Sequence, residues 1–259
     1  MILTEFDASK TAIINPWDIV TYQENMPRVA VTCFSHVTFD RLINELETTI
    51  VAESRSANMV IPIYKATYRG KEIALFMSDI GAAGCVSLLE EVYAMGVEKI
   101  VMFGTCGVLD AGIGDCSIII PNRAVRDEGT SYHYAAASDE IDVNLKYQDT
   151  FIDLLESCHC SYTLGKVWTT DGVYRETKGK MQRRKDSGCI CVDMECSAVA
   201  ALAQFREKEV FQFFYAADNL DAEEWEERSL SNEANVLEKD RIAMLAMELA
   251  VRIGGTDLK

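Results

Sequence analysis

The stretch KIVMFGTCGVLDAGIGDCSIIIP, Lys99–Pro121, decides how the chain is read. Its first five residues are a short apolar run of the kind that forms a buried strand. The segment Phe103-Gly104-Thr105-Cys106-Gly107 follows, with a glycine on each side of a threonine–cysteine pair. Such a loop lets backbone approach a ligand closely. A Gly114-Asp115 turn then opens a second strand, Cys116–Pro121. Immediately upstream, Ala83–Gly96 has a helical pattern that ends at a C-cap glycine.

The same rhythm extends in both directions. Towards the N-terminus the pattern predicts a strand at Val29–Phe34, a helix over Thr38–Glu53, and a hairpin of Ile61–Tyr68 with Glu72–Ser78. Towards the C-terminus it predicts helices at 144–156, 177–186, 195–206 and 231–253, alternating with strands at 162–169, 189–192 and 210–216. Strand–helix alternation of this kind predicts an α/β fold with a largely parallel or mixed sheet. No repeat, low-complexity tract or Pro/Gly-rich linker interrupts it, so the 259 residues read as a single domain, 1–259. In such sheets ligands sit beyond the carboxyl ends of strands.

Composition narrows the partners. The net charge of −16 disfavours nucleic acid and anionic membrane surfaces. No 18-residue apolar stretch exists, so no membrane span is expected, and MILTEFDASK does not read as a secretory signal. Nine cysteines without an export signal suggest reduced thiols and a cytoplasmic protein. Cys158-His159-Cys160 and Cys189-Ile190-Cys191 lack the ligand spacing of a zinc site, and no metal is expected.

Four post-strand segments carry candidate chemistry. Ile80-Gly81-Ala82-Ala83-Gly84 lies between a strand and a helix, where Gly81 opens the backbone to an anion or a sugar. FGTCG is the second. The third is Val192-Asp193-Met194-Glu195, whose acids could accept hydrogen bonds from vicinal hydroxyls or serve as ordinary helix-start residues. The fourth is Ala217-Asp218-Asn219, where an acid could donate a proton or form an Asx turn.

Taken together, IGAAG (80–84), FGTCGVLDAGIGDCSIIIP (103–121), AVRDEGTSYHY (124–134), TTDGVYRET (169–177), VDMECSAVAAL (192–202) and AADNLD (216–221) resemble the nucleoside phosphorylase superfamily over residues 28–253. The resemblance implies a central mixed sheet, partly barrel-like and ringed by helices. It also implies a homo-oligomer, dimer or hexamer, and cleavage of a nucleoside's N-glycosidic bond by a pentosyltransferase. No cofactor is implied, and inorganic phosphate is the implied co-substrate.

By the same resemblance, Glu195 binds the ribose hydroxyls, with Met194 beneath the sugar and Asp193 in place of the family's first glutamate. Asp218 protonates a purine at N7, Gly104 and Thr105 border ribose and phosphate, and Trp168–Tyr174 walls the base. Uridine-acting members carry a Gln-x-Arg pair where this chain has Thr177 and Gly179, so a purine is expected. The family's phosphate arginines are absent: the first loop reads Cys33-Phe34-Ser35-His36-Val37-Thr38, and Met102 occupies the second position. His36, Arg126 and Arg175 are the candidates for an unusual phosphate or nucleophile contact. The acidic segment Asp221–Arg228 reads as a solvated helix start or a lid over the base, with Trp225 packed or closing on the ligand. Phosphorolysis therefore stands beside two alternatives, a hydrolytic nucleosidase (including an AMP-nucleosidase-like form) and a non-catalytic nucleoside-binding protein.

Overall fold

The strand that begins at Lys99 does not stop at Phe103. In the computed structural model, which describes residues 2–255, it runs to Val108 and carries the glycine segment within it. Glycines are poor strand formers in isolation, but here strands pair with the segment on both sides.

In chain order the helices are α1 (Pro16–Ile19), α2 (His36–Glu45), α3 (Ala82–Met95), α4 (Gln148–Ser157), α5 (Lys178–Asp186), α6 (Cys196–Arg206) and α7 (Val236–Gly254). The strands are β1 (Val29–Cys33), β2 (Thr48–Arg55), β3 (Val60–Tyr68), β4 (Lys71–Met77), β5 (Lys99–Val108) and β6 (Ile118–Asp127), then β7 (Glu140–Asp142), β8 (Tyr162–Thr170), β9 (Cys189–Asp193) and β10 (Glu209–Asn219). The sheet order is β10-β6-β8-β9-β5-β1-β4-β3-β2, with β7 on β6 and a further β10–β5 pairing. That last pairing closes β5, β10, β6, β8 and β9 into a five-strand barrel, and β1, β4, β3 and β2 extend from it as an open sheet.

A second expectation also fails. The helix predicted over Thr38–Glu53 ends at Glu45, and Thr48–Arg55 forms β2 instead. The β-branched run Thr48-Thr49-Ile50-Val51 disfavours helix, and antiparallel pairing with β3 satisfies its backbone. The β3–β4 hairpin forms as predicted, with Arg69 and Gly70 at φ 48° and 73°, the geometry of a two-residue type I′ turn.

β1 is buried at all five positions, as a strand covered on both faces must be. One apolar layer packs α2, α4 and α7 against one face of the sheet, with Phe103, Phe151, Phe211 and Phe213 at its centre. A second packs α3 and α6 against the other, around Ile100, Leu89 and Val199. This two-sided packing holds the carboxyl ends of β1, β5 and β10, which run parallel, at one rim.

Candidate active site

Register places the motifs. Gly107 pairs with Val192 across the antiparallel β5–β9 contact, so Asp193-Met194-Glu195 emerges beside Thr105 and Cys106. On the other side β10 follows β5 from Glu209 to Ala216, then slips between Ala216 and Asn219. Asp218 lies in this irregularity, which turns its side chain out of the ladder. Gly107 makes room for it. A Cβ there would meet Leu220 Cδ1 at 2.5 Å and Asp218 Oδ1 at 3.1 Å. Gly104 performs the same service for the Phe34 ring, which a Cβ would strike at 2.7 Å.

The result is two adjoining cavities. The first, about 180 Å³, is lined by Thr105, Met194, Val173 and four acids: Glu176, Asp193, Glu195 and Asp218. Its lining contains no basic side chain. The second, about 200 Å³, is lined by Ser35, Thr38, Gly104, Thr105, Tyr215 and Asn232, with neither acid nor base among its lining residues. Phe34, Ile80, Thr105 and Leu230 are common to both.

Glu195 is 6% exposed and is held from two directions. Its Oε1 accepts a hydrogen bond from the Gly81 amide at 2.5 Å. Gly81 can place its N–H there because its φ is +91°, a conformation open to glycine. Asp193 fixes the backbone. Its Oδ2 accepts from the amides of Glu195 (2.9 Å) and Cys196 (2.7 Å) at the start of α6, and its Oδ1 from Thr169 Oγ1 at 2.7 Å. A further buried row, Ser197 donating to Glu128 at 2.8 Å, sits behind. Burial, reinforced by Asp193, pushes the Glu195 carboxyl up to about 8. Three donors and a helix N-terminus oppose the burial of Asp193, whose own shift upward is smaller.

Asp218 is half-buried, and its Oδ2 accepts the indole N–H of Trp225 at 2.8 Å. The segment after β10 thus folds back onto the acid. Cys33, at the floor of the second cavity, is no nucleophile: burial pushes its thiol up to about 12.

Several expected contacts are corrected. Trp168 does not wall a cavity: it is fully buried and donates to Asp127 at 2.9 Å. Tyr174 is 95% exposed, because the short 3₁₀ turn Val173–Arg175 directs it outward; Val173 and the following Glu176 supply the wall. Arg126 is buried, and its guanidinium donates to Ser131, Ser138 and the carbonyls of Ala135 and Ala136, so it fastens the loop after β6 rather than an anion. Arg175 and His36 are exposed and line neither cavity, whereas His36's neighbours Ser35 and Thr38 do. Gly81 serves Glu195. Glu195, Met194, Asp193, Asp218 and Thr105 converge on the first cavity, and Gly104 on the second.

Glu176, Ser35, Thr38 and Asn232 were not found by sequence reasoning. The one available signal was position: Ser35 and Thr38 follow β1, and Ser35 caps α2, accepting from the Thr38 amide.

A closed barrel extended by an open sheet, with an acid-lined chamber and an uncharged chamber meeting at its rim, defines an α/β protein with a two-chambered candidate site. The comparisons give that class its family. The chain belongs to the phosphorylase superfamily, whose family model matches residues 28–251. It is 26% identical over 162 residues to guanosine phosphorylase of Halorubrum lacusprofundi, an alignment spanning 61% of this chain and 64% of that relative. Among solved structures, uridine phosphorylase of Vibrio fischeri ES114 superposes with TM-score 0.76 at 19% identity, over 93% of this chain and 99% of that one. Purine nucleoside phosphorylase of Toxoplasma gondii, in complex with immucillin-H, superposes with TM-score 0.73 at 17% identity, over 88% and 90%. Among the described residues no helix is long and apolar enough to cross a membrane.

Proposed function

We propose that this protein cleaves the N-glycosidic bond of a purine nucleoside and transfers the ribosyl group to inorganic phosphate. The observation that carries the reading is the meeting of the two chambers at Thr105. One chamber presents carboxyls for hydroxyls and a base. The other presents hydroxyls, an amide and the first turn of α2, whose N–H groups and dipole favour an anion. A sugar C1′ at the junction lies between its leaving group and its attacker.

In this scheme Glu195, once ionised, accepts from the ribose 2′- and 3′-hydroxyls, and Met194 packs against the sugar. As the C1′–N9 bond breaks, its electron pair goes to the purine and Asp218 passes a proton to N7. Phosphate oxygen closes on C1′. The cleavage is heterolytic and nothing is oxidised, so the scheme needs no cofactor. The purine assignment rests on Asp218 and on Thr177 and Gly179, which offer no amide–guanidinium pair for pyrimidine carbonyls. The first chamber also lacks a counter-charge for a 5′-phosphate, which argues for nucleosides over nucleotides. The free thiols fit a reducing, cytoplasmic setting. A homo-oligomer belongs to the same reading, and the mass in solution tests it.

One observation favours a second reading, hydrolysis. No arginine, lysine or histidine lines the second chamber, so phosphate has no bidentate partner within this chain's cavity. The test is turnover of inosine, guanosine and adenosine with and without phosphate. Phosphorolysis requires phosphate and yields ribose 1-phosphate; an unchanged rate in phosphate-free buffer with free ribose as product establishes hydrolysis. Uridine turned over faster than all three refutes the purine assignment.

A further inference from the structure

We infer that Glu176 is a second acid of the base pocket, a proton-holding group that acts with Asp218 on the departing purine. This rests on the purine-cleaving reading, and it is independent of which nucleophile attacks C1′.

Glu176 and Asp218 arrive from different elements, the turn before α5 and the irregular end of β10, yet both line the first chamber. No hydrogen bond or ion pair within the described residues engages the Glu176 carboxyl. Its nearest compensating cation, Lys180, is occupied elsewhere: Nζ donates to Asp127 at 3.0 Å. Asp193 and Glu195 add two more acids to the same lining. A small, partly desolvated chamber with four carboxyls and no cation does not hold four negative charges: Glu195 keeps one proton, and a second settles on whichever of the other three is least stabilised as an anion. Asp193 has three donors and Asp218 has the Trp225 indole, whereas Glu176 has none. Burial and the neighbouring Asp218, with a lesser contribution from Asp193 and against the pull of Lys180, push the Glu176 carboxyl up to about 7.

The chemistry follows from a shared proton. Glu176 holds it in the ground state. As the C1′–N9 pair moves onto the purine, the base gains basicity at N7. The proton passes from the carboxyl pair to N7, directly or through Asp218, leaving one more carboxylate behind. The purine departs neutral, and the pair recovers its proton from solvent after release. The nucleophile surrenders its own proton separately, so the charge balance closes for phosphate and for water alike.

The experiment compares wild type with Glu176→Gln, which keeps shape and cannot release a proton, and with Glu176→Asp as the conservative rescue. The substrates are inosine and 7-methylinosine, whose base is already cationic and leaves without N7 protonation. Expected at pH 6 is a loss of about 30-fold in kcat/KM on inosine for Glu176→Gln, under the roughly 100-fold or more of a sole positioned acid because Asp218 remains. On 7-methylinosine the change should stay within about 3-fold, and Glu176→Asp should recover part of the loss. The wild-type to Glu176→Gln ratio on inosine, in which shared titrations of Glu195 and phosphate cancel, should fall towards 1 above pH 8 as the wild-type proton is lost. An equal loss on both substrates, a ratio flat with pH, or no loss on inosine overturns the inference while the purine-cleaving reading stands. A wild-type protein inert on both substrates overturns that reading, and the role of Glu176 with it.

Discussion

The two chambers of the site are built from opposite materials. The first collects four carboxyls on strand ends and helix starts, each oriented by a neighbour or pressed against another acid. The second is a neutral basket of hydroxyls, an amide and a helix N-terminus. The difference teaches where the chain places its chemical demand. Under the proposed function, recognition of hydroxyls and protonation of a leaving group would need acids with distinct environments, and the attacker would be received by dipoles alone. The carboxyl-rich wall would then also repel an anion straying from the second chamber into the first.

The sharpest way to break this contrast is to remove Glu195, the acid proposed to hold the sugar. Glu195→Ala should lower kcat/KM by about 1,000-fold, because a buried charge-assisted contact and the geometry it sets are lost together. Steady-state kinetics on inosine would show it, and a loss under 10-fold would remove Glu195 from the centre of the site. Next, Asp218→Asn should cost about 100-fold on inosine and much less on a 7-methylated nucleoside, as expected of a positioned acid. In the neutral chamber the effects should be smaller and of another kind. Thr105→Val or Ser35→Ala should raise KM for phosphate by about 10-fold, the value of a single hydrogen bond to an anion, with little change in KM for the nucleoside. If instead both constants move together, the chambers are not separate.

A stability measurement sharpens the same point. Burial, reinforced by Asp193, lifts the Glu195 carboxyl from its ordinary 4.5 to about 8 in the folded protein. The folded state therefore binds a proton the unfolded chain has released. That contribution is full below about pH 4.5 and is lost as pH rises through 8. Glu195→Gln should thus stabilise the protein by about 1–3 kcal/mol at pH 9 and leave it nearly unchanged at pH 4.5, as read by denaturant unfolding at the two pH values. The smallest effect belongs to Tyr174→Ala, which should leave kcat/KM within about 2-fold because the side chain is 95% exposed.

Much of this was legible in the chain itself, and the failures share a cause. The strand–helix alternation from Val29 onward, the hairpin turn at Arg69-Gly70 and the acids of Val192–Glu195 follow from local pattern and turn chemistry. The errors arose where a long-range partner overrides local preference. β2 exists because β3 lies beside it, and β5 continues through two glycines because β9 and β10 flank it. Among site residues, Trp168 and Tyr174 are near neighbours along the chain of Glu176, and only the 3₁₀ turn at Val173–Arg175 selects which of the segment's side chains faces the ligand. Arg126 was an attractive anion contact in one dimension, but its loop wraps back to take hydrogen bonds from all three guanidinium nitrogens.

By itself, the sequence determined the layered α/β class and the resemblance to nucleoside phosphorylases, and it singled out Glu195 and Asp218 as candidates. These depend on periodicity and on short motifs, which are local. Tertiary structure alone decided that Glu195 is held by the amide of Gly81, that Asp218 is turned inward at an irregularity in β10 and capped by Trp225, and that Glu176 joins them. Each of these depends on strand register and on a backbone crossing between segments tens of residues apart. Burial, which pushes up the carboxyls of Glu176, Asp193 and Glu195, has no one-dimensional signature.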